Sequence, residues 1–162
     1  MTEVAGPKPH DLACAEIAAW RGRCLDLFAK GERSVSQALE VLRACDPSIK
    51  IKHLASQRLN DLVGVTSALT LTGKQRKSLD SALKAWEAVD ARRKLFAHGV
   101  ATPLLDKQGS WHIRFDFIVF PQAELVQWTA SRAEANEFES DLTTAFKALS
   151  TELGQLKKRS AS

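Results

Sequence analysis

Two side chains five residues apart, Arg93 and His98, offer the clearest means of doing chemistry in this chain. Histidine titrates near neutral pH, so it can take up a proton or return one to a reacting oxygen. An arginine can hold an anionic group such as a phosphate through two parallel hydrogen bonds and stabilise charge that develops beside it. Such chemistry calls for no metal and no cofactor. Asp90, Arg92 and Lys94 flank the pair as supporting or phosphate-binding groups. A competing reading is structural, because a histidine in a last helical turn also interacts favourably with the macrodipole and the free carbonyls.

Other constellations are weaker. His10, His53 and His112 have no carboxylate or cysteine at ligand spacing. Gly73-Lys74 lacks the upstream glycine and following hydroxyl of a phosphate loop, and there is no Gly-x-Ser-x-Gly elbow. Cys14, Cys24 and Cys45 are odd in number and lack CxxC spacing, which speaks against a disulfide framework or zinc site. Cys24 follows Ile17 by seven residues on an apolar stripe and reads as a small buried hydrophobe. Trp111, Phe115 and Phe117 either stack bases on an open sheet face or cover a core, and their alternation with polar residues favours the second.

The elements that must position Arg93 and His98 follow from hydrophobic periodicity. A first helix spans about Asp11 to Lys30, with Leu12, Ile17, Trp20, Cys24, Leu27 and Phe28 at helical spacing. Gly31 is expected to interrupt it, with Ser34 or Ser36 capping a second helix through Ala44. Asp46-Pro47-Ser48 makes a break. A third helix covers about His53 to Leu69. A fourth starts at Thr72-Gly73 and is expected to reach His98, with Leu79, Ala82, Leu83, Trp86, Val89 and Phe96 on one face and Lys74, Lys77, Lys84 and Arg92 opposite. Gly99 fits a left-handed position after the helix. Val100 to Leu105 and Trp111 to Phe117 then read as paired strands, and Glu124 to Trp128 as a third. Ser131-Arg132-Ala133-Glu134 forms a capping box for a final helix that buries Phe138, Leu142, Phe146, Leu149 and Leu153. The expected fold is mainly α, a helical bundle of about five helices with a small antiparallel β-sheet inserted before the C-terminal helix.

Five helical residues turn through about 140° beyond one full circle. Arg93 and His98 thus flank an edge containing Lys94 and Ala97, and they can bracket a phosphate at the helix end. On the same wheel Asp90 and Arg93 fall in the apolar arc near Leu79, Leu83 and Trp86, which suits an ion pair or a groove at a subunit interface. Arg92 points away from it.

The segment Arg93-Lys94-Leu95-Phe96-Ala97-His98-Gly99, preceded by the face that carries Trp86, resembles the R-x4-6-H signature of the HEPN superfamily. Members commonly read Trp, then Arg-Asn, then Ala-His-Gly at similar separations. The resemblance covers about Gly73 to Phe120. It implies a metal-independent endoribonuclease of toxin or phage-defence type acting through Arg93 and His98. Non-catalytic members imply instead a dimerisation or interaction module, or an RNA-binding regulator. It also implies a homodimer whose two motifs share a cleft, RNA as substrate or ligand, and an antitoxin or other protein partner. The chain departs from the pattern at Lys94, where catalytic members usually carry Asn, Asp or His. A lysine binds phosphate but cannot accept a hydrogen bond.

The bulk properties fit this reading. The 162 residues, 44% hydrophobic and 26% charged, suit a single domain over about 11–156, with an N-terminal extension 1–10 and a basic tail 157–162. No apolar run approaches the roughly 20 residues of a membrane span, and Met1 to His10 does not read as a signal peptide, so a cytoplasmic location with no membrane partner is expected. The net charge of +4 permits an acidic partner. Between Lys74 and Lys94 seven cations face three carboxylates, whereas Ala130 to Leu156 carries five carboxylates and two cations.

Overall fold

The structure, a computed structural model, describes residues 6–160. The outermost parts of the N-terminal extension and basic tail, 1–5 and 161–162, lie outside the described residues. The chain is mainly helical, with long helices α1 (Pro9–Cys45), α2 (Ala55–Ser67), α3 (Gly73–Asp90) and α5 (Arg132–Ser160) and a short α4 (Arg93–His98). Between α4 and α5 lies an antiparallel sheet of β1 (Val100–Leu105), β2 (Trp111–Val119) and β3 (Glu124–Ser131), in the order β1-β2-β3. Two compact units divide these elements. One comprises residues 6–25 with Arg92–Ser140, and the other Asp26–Ala91 with residues 141–160.

The helices are partitioned differently from expectation at two places. The predicted first and second helices are one, α1, 37 residues long. The apolar series explains why, since Ala13, Ile17, Trp20, Cys24, Phe28, Val35, Ala38 and Leu42 are all buried and their three-and-four spacing runs through Gly31 without a shift. Gly31 is a packing residue rather than a break. A Cβ there would collide with the ring of Trp86, so the missing side chain lets the indole lie against the helix backbone. Ser34 and Ser36 do not cap; their hydroxyls donate to the carbonyls of Lys30 and Glu32, one turn back. Leu12, placed on the buried stripe by its spacing, is 50% exposed.

The second difference is a break at Ala91-Arg92, which ends α3 at Asp90 and opens α4 at Arg93. Neither proline nor glycine marks it. Leu95 lies six residues after Val89, about 240° around a continuous helix, which would carry it off the apolar stripe. Restarting the helix buries both Leu95 and Phe96. The predicted start of α3 is found, with Thr72 and Gln75 exchanging side-chain and backbone hydrogen bonds in a capping box. Ser131 and Glu134 do the same at α5. Lys157, Lys158 and Arg159 continue α5 as its last basic turn. Among the described residues, no helix is long and apolar enough to cross a membrane.

The sheet follows the expected alternation. Phe115 sits opposite Ala101 on one side and Trp128 on the other, and Ile113 opposite Pro103 and Ala130. Trp111, Ile113 and Phe115 are buried, so the covering reading of these side chains holds for Trp111 and Phe115. Phe117, next on that side of the strand, is only half-buried.

Candidate functional site

The unit containing the sheet places α4 beside β2 and surrounds Phe96 with rings. Phe96, fully buried, lies 5.2 Å from Trp20, 5.1 Å from Phe115, 5.8 Å from Trp128 and 5.2 Å from Phe138, measured between ring centroids. Burying a phenylalanine in such a cluster is worth several kcal/mol, which anchors a helix too short to be stable alone. Polar anchors tie the cluster down. The Trp20 indole donates to the Ala135 carbonyl at 2.9 Å, and the Trp111 indole to Glu16 at 2.7 Å.

The end of α4 is finished by Arg21, a residue that the sequence reading did not single out. Its Nε donates to the Phe96 carbonyl at 2.9 Å, and its Nη2 donates to the carbonyls of Phe96 and Gly99. The guanidinium carbon also lies 5.4 Å from the centroid of Phe115. Gly99 adds a hydrogen bond from its N–H to the Leu95 carbonyl at 2.9 Å. Gly99 is extended, with φ −71° and ψ 144°, and not left-handed as expected. Glycine is still required, because a Cβ there would run into the Leu95 carbonyl oxygen. The capping duty open to His98 is thus carried by Arg21 and Gly99. The available signal was a cation one position from buried Trp20 on α1, and nothing in the sequence distinguishes it from a solvated arginine.

The five predicted site residues divide by environment. His98, the last residue of α4, is exposed, with its ring centroid 6.2 Å from that of Phe117. Arg93, the first, is half-buried. Both belong to one six-residue helix, so the 140° separation holds for them. Asp90 closes α3, on the other side of the break. Lys94 is exposed. Arg92 is also exposed, but its guanidinium lies over the rings of Trp128 and Phe138, 5.1 and 5.4 Å from their centroids. Such cation–π contacts contribute about 0.5–1 kcal/mol at exposed sites.

Elsewhere in the same unit, Cys24 is wholly buried, and burial first, then the Glu139 carboxylate, push its thiol up to about 12. It behaves as the small hydrophobe expected of it. Asp106 is held below the usual carboxylate range chiefly by the Ser110 N–H, with His112 3.4 Å away. Glu134 is held low by the N–H and hydroxyl of Ser131. Among the described residues, no group of three His, Cys, Asp or Glu side chains is placed to share a metal ion.

No family model, curated protein or solved structure matches the chain.

Proposed function

We propose that this is an HEPN-like RNA-binding protein that cleaves RNA without a metal through Arg93 and His98. The observation that carries the reading is the exposed imidazole of His98 at the end of a helix whose charged side chains are all cationic and whose Leu95 and Phe96 carbonyls already accept hydrogen bonds from Gly99 and Arg21. A histidine relieved of structural duty can move protons, and the arginine that opens the same helix can hold the phosphate. By the HEPN resemblance the working form is a cytoplasmic homodimer in which two α4 helices line one cleft, and an antitoxin or other protein partner controls it. A non-catalytic RNA-binding or dimerisation role is the second reading. It is favoured by Lys94, which cannot accept a hydrogen bond, and by the partial burial of Arg93.

The two readings separate in one assay on a labelled single-stranded RNA, run in a chelator. Cleavage is expected from the unaltered protein, and its loss from His98→Ala and Arg93→Ala, both with retained melting temperature. Binding without cleavage supports the second reading. Absence of both binding and cleavage contradicts the proposal.

A further inference from the structure

The surface around His98 has a component that the Arg-His motif does not contain. The imidazole stands beside Phe117, ring centroids 6.2 Å apart and planes inclined by 32°. Phe117 is half-buried, whereas Phe115, its neighbour on that side of β2, is closed off completely. Lys94 precedes His98 by four residues, about 40° around the helix, so the two exposed side chains share a face. Arg93 lies about 140° away, and the face of Arg92 is occupied by Trp128 and Phe138. Residues 91–99 hold three cations and no carboxylate. The accessible face of α4 therefore offers an ammonium, then an imidazole, then an aromatic ring on the adjoining strand.

That sequence of groups matches the chemistry of one nucleotide. An ammonium is a point donor suited to a phosphate, and it carries no acceptor with which to read a base edge. A half-buried phenylalanine offers a π-surface to any base that is free to leave its stack, a condition met in single strands, loops and bulges and not within a duplex. We propose that Lys94, His98 and Phe117 form a subsite for an unpaired nucleotide of an RNA strand, with Lys94 on its phosphate and Phe117 stacking its base. The inference rests on the RNA reading above and deepens it. The substrate class becomes single-stranded RNA with little discrimination among bases.

Fluorescence anisotropy of the full chain on a labelled oligouridine and on an RNA duplex of equal length, at several salt concentrations, tests the subsite. The single strand is expected to bind at least about tenfold tighter than the duplex. Phe117→Leu should weaken single-strand binding by about fivefold or more, within the range for loss of one stacked base, and leave the salt slope unchanged. Phe117→Tyr should restore it. Lys94→Gln, at an exposed position, should reduce the salt slope by about 0.7, the change for one phosphate contact on a single strand. Circular dichroism melting confirms that each variant is folded, and Lys94→Gln decides the matter should Phe117→Leu not fold. Single-strand binding that is indifferent to both substitutions, or a duplex bound equally well, overturns the subsite and leaves the RNA reading standing. Failure of the unaltered protein to bind either RNA overturns both.

Discussion

The unit of Asp26–Ala91 with residues 141–160 buries chiefly aliphatic side chains on helices, among them Leu39, Leu42, Leu62, Leu79, Leu149 and Leu153. Its aromatic contacts include Trp86 edge-on to Phe28 at 6.2 Å and to Phe146 at 6.5 Å. The unit of residues 6–25 with Arg92–Ser140 is built otherwise. Trp20, Phe96, Phe115, Trp128 and Phe138 form a network of rings, and hydrogen bonds from the Trp20 indole and the Arg21 guanidinium of α1 fasten it to backbone carbonyls. Leucines on helical stripes fill volume and tolerate rearrangement, whereas rings with hydrogen-bonded edges fix orientation. The second manner of construction suits a region that must hold a short helix with an exposed histidine in one place.

The contrast can be broken most severely at Gly31. Gly31→Val should destabilise the protein by about 3 kcal/mol in urea denaturation, because the side chain must displace the Trp86 ring. Gly64, also inside a helix but with open space around its Cβ position, provides the opposite case. Gly64→Ala should stabilise by about 0.5–1 kcal/mol. Equal and small effects at the two glycines would contradict the packing account of α1.

A smaller effect sharpens the polar half of the comparison. Glu134 and Asp106 have folded pKa values lowered below their unfolded ones, so the stability they add is present above the unfolded carboxylate range. It is lost as pH falls through the lowered folded values. Melting temperatures measured downward from pH 6 should therefore fall less steeply in Glu134→Gln than in the unaltered chain. Parallel curves would show that the α5 capping box contributes nothing through its charge.

Much of the architecture was legible because it depends on period and caps. The alternation from Trp111 to Phe117 sufficed to place β2, and the Ser131-Glu134 and Thr72-Gln75 pairs marked two helix starts. Gly31 misled because a glycine that admits an indole looks in sequence like one that stops a helix, although the unbroken stripe from Ala13 to Leu42 carried the needed signal. The break at Ala91-Arg92 was not legible, since Ala, Arg and Lys all favour helix and the cause lies in the burial of Leu95 and Phe96. Of the site, the histidine and its cations were visible as residue types. Arg21 was not, because its role depends on contacts 75 and 78 residues away in sequence.

The proposed role of His98 requires that Arg21, and not the imidazole, carry the structural duty at the end of α4. Chemical denaturation of two single variants tests it directly. Arg21→Ala should cost at least about 1 kcal/mol, from charge-assisted hydrogen bonds lost to buried carbonyls, and His98→Ala less than about 0.5 kcal/mol. The reverse ranking, with His98→Ala the more damaging, would return the histidine to a capping role and contradict the account.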